Sequence, residues 1–243
     1  MFAHLVILIY AIVSYAVFVV SFLYALGFVG NYLVSKSIDV GAPMNLTGAI
    51  VIDLLLLGIF AIQHSIMARP AFKRWSAKFL PVASQRSTYV LFSSLIQLLL
   101  FWQWRPMPSV IWQISHPQIA MALTALSMLG WVIVFTSTFL INHFELFGLK
   151  QVWGHARNAA TSAPVFRKPF FYKLVRHPLY SGFILAFWAI PVMTAGHLLL
   201  AAAMVVYILI AIRHEERDLV GMFGDPYVRY QGEVGMLAPK LRR

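Results

Sequence analysis

The sequence predicts an all-α, polytopic integral membrane protein forming a single membrane domain over 1–243: four spans, a C-terminal membrane helical hairpin and a cytosolic cap. Three observations carry that expectation. Of 243 residues, 60% are hydrophobic and 11% are charged, against about 25% charged in a soluble domain. Five stretches are apolar enough to enter a bilayer, where a crossing needs ~20 apolar residues. The Lys and Arg residues are sorted onto alternate connections between those stretches.

The first three spans are expected at about 5–30, 46–68 and 88–104. The apolar run Leu5–Val29 is too long for a signal-peptide core and has no basic segment before it, so it reads as a retained span. The third stretch is short, but it ends in Trp102 and Trp104, which suit a membrane interface. The fourth span covers about 118–142. The fifth stretch, 180–213, is too long for one crossing and holds Pro191 and Thr194-Ala195-Gly196-His197 near its middle. Two tightly linked helices of about 16 residues each are expected there, since neighbouring helices can satisfy backbone groups freed by proline and glycine. The cap then covers 214–243. Segment 150–170 is the least hydrophobic and is expected to be irregular.

The charges support the hairpin independently. Segment 69–86 holds Arg69, Lys73, Arg74, Lys78 and Arg86. Segment 143–179 holds six further basic residues, and the tail from Arg213 onward holds six more. The alternate connections hold only Lys36 and Arg105. The positive-inside rule therefore puts 69–86, 143–179, the tail and the N-terminus in the cytosol. A single crossing over 180–213 would put the basic tail outside. The net charge of +11 thus reflects membrane topology, not nucleic-acid binding.

Two polar clusters flank the hairpin. Arg176-His177-Pro178-Leu179-Tyr180-Ser181-Gly182 stands at its start, and Arg213-His214-Glu215-Glu216-Arg217-Asp218 at its end. A hairpin brings start and end together, so cations and carboxylates converge at the cytosolic membrane surface. That suits a zwitterionic ligand: an arginine grips a carboxylate with paired hydrogen bonds, and a glutamate accepts from an amino group or ribose hydroxyls. The spacing alone fits equally well with flanking charges, with Arg213 and Arg217 snorkelling. Downstream, Gly224-Asp225-Pro226 starts a turn. Tyr227 and Tyr230 share a face of the next helix, where they either cover an adenosine or anchor at the interface.

Further polar residues lie near the membrane. Gln63-His64 and Asn142-His143, with Glu145 close by, fall near the cytosolic ends of the second and fourth spans. Ionisable residues at membrane depth are functional candidates, the other reading being helix-to-helix hydrogen bonding. Asp53 lies toward the outer half and is expected to be structural. The absence of cysteine excludes disulfides, thiolate–metal sites and cysteine nucleophiles, so any thiol chemistry uses a thiol on the substrate. No Gly-rich phosphate loop, no G-x-G-x-x-G and no H-E-x-x-H zinc helix is present, and no metal is expected.

The hairpin and tail resemble the membrane methyltransferase superfamily that includes the isoprenylcysteine carboxyl methyltransferases. The matching residues are Arg176-His177-Pro178-x-Tyr180-x-Gly182, Glu215-Glu216-x-x-Leu219, Phe223-Gly224 and Tyr227-x-x-Tyr230. More narrowly, the chain is similar to the bacterial methanethiol S-methyltransferases through Leu140-Ile141-Asn142-His143-Phe144-Glu145-Leu146-Phe147-Gly148-Leu149, Pro191-x-Met193-Thr194-x-Gly196-His197-Leu198 and Glu215-Glu216-Arg217-Asp218-Leu219. One departure is Val234-Gly235-Met236, where the wider family often has proline after valine.

The resemblance implies methyl transfer from S-adenosylmethionine to methanethiol, a small volatile thiol, in a bacterial inner membrane. It implies cofactor contacts from Arg176, His177, Pro178, Tyr180, Gly182, His214, Glu215, Glu216, Tyr227 and Tyr230. His64 or His143 would then take the thiol proton, since imidazole titrates near neutrality, and Gln63, Asn142 and Glu145 would line the thiol's place. A carboxyl methyltransferase acting on a prenylated cysteine is the nearest alternative. A b-type haem protein with His64 and His143 as axial ligands is an alternative of another class. Partners are the small thiol and the lipid bilayer; oligomeric state is not legible.

Overall fold

A computed structural model describes residues 2–157 and 166–240. It is helical almost throughout. Helices α1 (Phe2–Gly30), α2 (Leu46–Ala68), α3 (Pro70–Ser76), α4 (Gln85–Gln103), α5 (Pro117–Ile141), α6 (His143–Leu146), α7 (Leu149–Ala156), α8 (Pro178–Trp188), α9 (Ala195–Phe223) and α10 (Asp225–Glu233) follow in order. Two short strands, β1 (Val110–Gln113) and β2 (Val192–Thr194), pair with each other. Four helices are long and apolar enough to cross a membrane: α1 from His4, α2, α5 and α9. The expected all-α polytopic membrane architecture is therefore what the chain adopts.

The chain divides into two compact units. The first comprises residues up to Ser109 together with His143–Thr161 and Thr194–His197. Here α4 packs against α1 and α2 through a buried polar seam. Ser21 Oγ donates to Gln97 Oε1 at 2.6 Å, and Tyr10 donates to Thr88 Oγ1 at 3.0 Å. Those polar side chains explain why α4, the expected third span, is less apolar than the other long helices. Asp53 is fully buried on α2 and accepts the Arg105 N–H at 2.9 Å, which fits the structural role expected of it. At Gly148 the backbone has φ +89°, and an added Cβ would stand 2.6 Å from Ser87 Oγ. Glycine there lets the 143–149 segment close on the start of α4, where Arg86 Nε donates to the Leu146 carbonyl at 2.7 Å.

The second unit holds Val110–Asn142, Ser162–Met193 and Leu198–Arg243. Its framework is α5 against α8. Gly130 on α5 and Gly182 on α8 meet backbone to backbone: a Cβ on Gly130 would lie 2.6 Å from the Gly182 carbonyl oxygen, and one on Gly182 would lie 2.8 Å from that of Gly130. Small residues let helices approach closely in membranes, where packing replaces the hydrophobic effect as the driving force. Ser127 Oγ donates to the Ala186 carbonyl at 2.8 Å, and Trp131 packs edge-on against Phe183 and Phe187.

The hairpin departs from expectation in its proportions. Its helices have 11 and 29 residues, not about 16 each, and the break falls at 189–194, with Thr194 ending β2 and Ala195 opening α9. Pro191 has no N–H for a helical bond, which stops α8 early. Helix α9 then runs on through Arg213–Asp218, because arginine and glutamate are good helix formers. It ends at Gly224, where φ is +60°. At 1.5 Å per residue α9 is about 43 Å long, well beyond the ~30 Å hydrocarbon core, so its charged last turns need not sit in lipid. Residues 214–223 thus continue this helix, and the expected cap region begins inside it. The segment expected to be irregular is helical over Leu149–Ala156, and 158–165 lie outside the described residues.

Candidate functional site

The expected meeting of the two polar clusters occurs within the second unit. Arg176 Nε donates to Glu216 Oε1 at 2.6 Å, and His177 Nε2 donates to the same oxygen at 2.9 Å. The side chains of Arg176 and Glu216 are only 11% and 15% exposed. Arg176 and His177 immediately precede α8, while Glu216 lies in the last third of α9. Pro178 at the first position of α8 presets the helical start and is buried. The ring of Tyr180 stands 5.7 Å from that of His177.

The clasp also fastens the C-terminal tail. Arg176 Nη1 donates to the Gln231 and Val234 carbonyls at 3.1 and 2.5 Å. Gln231 Nε2 returns a hydrogen bond to Glu216 Oε2 at 2.9 Å. The Arg176 and His177 N–H groups donate to the carbonyls of Gly235 and Met236, and Ser181 Oγ donates to that of Leu237. Residues 231–237 therefore lie as a strap across the start of α8. Glycine in place of proline at 235 leaves this path regular, since 175 and 235 form a parallel bridge. Among the described residues, Nη2 of Arg176 has no protein acceptor.

Tyr227 and Tyr230 are each 2% exposed and form the cap's own core with Val234, Phe166, Leu219, Val220 and Phe223. Tyr230 donates to the Tyr172 carbonyl at 2.5 Å. Burial is the main cause that pushes the Tyr230 phenol up to about 12, and Glu216 adds to it. Tyr172 and Tyr227 are raised further, again by burial first and then by nearby carboxylates. All three are neutral hydroxyls at any physiological pH. Gly182 has its place explained by helix packing. By contrast, His214 and Glu215 are exposed on α9, and Glu215 Oε2 lies 3.8 Å from His177 Nδ1.

The remaining candidates are distributed as follows. In the first unit, His64 Nε2 is hydrogen-bonded to the Tyr89 hydroxyl at 2.6 Å and its Nδ1 to Ser93 Oγ at 3.1 Å. Both ring nitrogens are thus engaged, whereas an iron ligand needs one of them. Gln63 Nε2 approaches Met67 Sδ and Ser93 Oγ. His143 is 4% exposed; its Nε2 meets the Tyr15 hydroxyl at 2.7 Å, with Phe147 packed on the ring. Burial holds the His143 imidazole below its usual value, so it is neutral at pH 7. Glu145 is exposed and paired with Lys150 at 2.7 Å. Asn142 belongs to the second unit, at the end of α5.

The comparison with known proteins bears on what this clasp serves. The family described as NnrU protein matches residues 53–235, the clasp and most of the strap included. A Bradyrhizobium diazoefficiens protein named methanethiol S-methyltransferase 2 is 63% identical over 241 residues, covering 99% of this chain and 93% of that protein. The chain belongs to the methanethiol S-methyltransferase family. Within the family, the Mycobacterium tuberculosis methanethiol S-methyltransferase is 51% identical over 96% of this chain and 95% of its own length. More distantly, Nurim of Mus musculus is 30% identical over 176 residues, 69% of this chain and 66% of Nurim. No solved structure matches the chain.

Against this methanethiol S-methyltransferase background, sequence reasoning found the clasp but missed Gln231, the third group that donates to Glu216, and the strap. Three of the strap's bonds run to backbone carbonyls from Arg176 and Ser181 side chains, and a carbonyl carries no residue signature.

Proposed function

We propose that this protein transfers a methyl group from S-adenosylmethionine to methanethiol, giving dimethyl sulfide, at the cytosolic face of a bacterial inner membrane. The observation that carries the reading is the Arg176–His177–Glu216 clasp beside an exposed Glu215. S-adenosylmethionine supplies an electrophilic methyl on a sulfonium, so the transfer is an in-line displacement. The donor set fits this molecule. The open Nη2 of Arg176 suits a carboxylate, and Glu215 suits the amino group. Arg213 and Arg217 balance the charges of Glu215 and Asp218 on this stretch, so what favours the amino group is the local position of Glu215 beside His177.

Glu216 already accepts three protein hydrogen bonds, so its part is to hold Arg176 and the strap in place. Tyr227 and Tyr230 serve by packing the cap. The thiolate, not the thiol, is the nucleophile, and a nearby sulfonium would lower the thiol's pKa. We assign the proton to a histidine, and His143 is favoured by its neutral, buried imidazole; His64 is the second choice. Binding energy is then needed mainly for alignment, which is worth several kcal/mol when the geometry is held.

Purified protein given S-adenosylmethionine and methanethiol should release dimethyl sulfide into the headspace. No dimethyl sulfide from folded protein that binds S-adenosylmethionine by calorimetry would remove the thiol half of the reading; no binding would remove the cofactor half. His143→Ala should lower turnover more than S-adenosylmethionine affinity. Because burial depresses its proton affinity, wild-type turnover should hold from pH 8 down through about 6.5, the ordinary histidine value, and fall only below it. His143→Ala should lose that acid limb. Wild-type turnover in both His143→Ala and His64→Ala would end the histidine-base assignment.

A further inference from the structure

The connection between α2 and α4 carries a feature that methyl transfer does not use. Helix α2 ends at Ala68, and Pro70 starts α3 after one extended residue, Arg69. The short helix therefore stands directly at the end of an apolar membrane-length helix. It is fastened there, because Gln85 Nε2 at the start of α4 donates to the Lys73 carbonyl at 2.8 Å.

Its outer side is aromatic. Phe72, Trp75 and Phe79 form a chain of ring contacts at 5.3 and 5.5 Å. Yet Trp75 is 55% exposed, Phe79 71% and Val82 72%. In water such a patch would be costly, and exposed apolar patches mark interaction surfaces. Interleaved with the rings are Lys73, Arg74 and Lys78, with Arg69 just before them. No Asp or Glu occurs between Asp53 and Glu145, so no acidic residue of this stretch offsets the charge. Indole and phenyl rings settle at the headgroup level of a bilayer. Basic side chains beside them are drawn to anionic lipid, each adding about fivefold to partitioning.

We infer that residues 69–82 are a membrane foot that binds anionic phospholipid headgroups, with Trp75, Phe79 and Val82 seated in the monolayer and the basic side chains on the phosphates. The partner is the anionic monolayer itself, since rings and cations are presented together at the end of a span. The inference stands on the first unit alone and does not depend on the methyl-transfer reading.

The absence of cysteine gives a clean test. A single Val82→Cys variant carries an environment-sensitive fluorophore, and the full chain is reconstituted in phosphatidylcholine vesicles. Equal mole fractions of headgroup-spin-labelled phosphatidylglycerol or phosphatidylcholine are then compared as quenchers. Quenching by the phosphatidylglycerol should be at least fivefold more effective. Adding Lys73→Gln, Arg74→Gln and Lys78→Gln should bring the two lipids to parity while the protein stays folded by circular dichroism. In Trp75→Ala/Phe79→Ala, quenching by acyl-chain labels should drop while the headgroup preference persists. Three results would overturn the inference: equal quenching by both lipids in the parent, no quenching by either, or an unchanged preference in the glutamine variant. If the glutamine variant does not fold, the parent's preference read at rising salt decides instead. Screening should erase a headgroup preference, and a preference that survives high salt overturns the inference.

Discussion

Glu216→Ala should lower the proposed S-adenosylmethionine affinity at least 100-fold and should strip hydrogen-exchange protection from the amide groups around 231–237. The reason lies in what the carboxylate holds. It accepts from Arg176 at 2.6 Å, His177 at 2.9 Å and Gln231 at 2.9 Å. Removing one partner of a buried ion pair costs about 3–5 kcal/mol, because the other charge stays desolvated. A 100-fold change in affinity needs only about 2.7 kcal/mol. The stranded guanidinium would turn to water and release the Gln231 and Val234 carbonyls, and the strap would loosen with them. Glu216→Gln should fall in between, since an amide still accepts from Arg176 but carries no charge. Arg176→Lys should fail nearly as fully as Arg176→Ala, because an ammonium cannot reach three acceptors arranged around a planar fork. A double-mutant cycle between Arg176→Ala and Glu216→Ala separates the pair from its surroundings. If the two losses simply add, the clasp is not a unit and this account of it fails.

Gly182→Ala and Gly130→Ala should each lower the thermal midpoint by about 5 °C or more and take activity down with stability. The added Cβ at Gly130 would stand 2.5 Å from the Ala186 nitrogen, and at Gly182 it would stand 2.8 Å from the Gly130 carbonyl oxygen. Both obstacles are backbone, so no side chain can rotate away. The helices must part, at a cost of roughly 1–3 kcal/mol for overpacking. Activity should suffer beyond the loss of folded protein, because Arg176 and His177 sit just before the turn that α5 positions. Gly58 and Gly221 meet nothing within 4 Å and serve as controls: alanine there should leave the midpoint unchanged or raise it by up to about 3 °C, since helix propensity favours alanine over glycine by up to about 1 kcal/mol. Equal effects at all four positions would mean that helix propensity, not close approach, governs these glycines.

The two groups of residues are legible in the sequence to different degrees. Arg176, His177 and Glu216 can be paired from the sequence, because length and the basic residues on alternate connections demand a hairpin over 180–213. The hairpin's inner proportions are not legible. Pro191 marks a break, but nothing local shows that α8 stops at Trp188 or that α9 continues through Arg213–Asp218 to Phe223. Spacing puts Tyr227 and Tyr230 on one helix face, yet what that face covers depends on Phe166 and Val234, which lie far along the chain or on the tail. Gln63, His64 and His143 are visible as polar residues near the ends of apolar segments. Their partners Ser93, Tyr89 and Tyr15 come from α4 and α1, and no periodicity announces such pairs.

Hydropathy, charge placement and the motif spacing determined, from sequence alone, that this is a multi-span α-helical membrane protein with two polar clusters brought together where a hairpin closes. Those properties follow from solvation: each depends on whether a residue is stable in lipid or in water, which is a property of the residue itself. Tertiary structure decided the rest: that Glu216 and not Glu215 is spent on the clasp, that Gly182 serves helix packing, that the tail is strapped by backbone carbonyls, and that the ring cluster at 72–79 stays uncovered. Those depend on close contacts between groups far apart in sequence, and only the folded chain sets them.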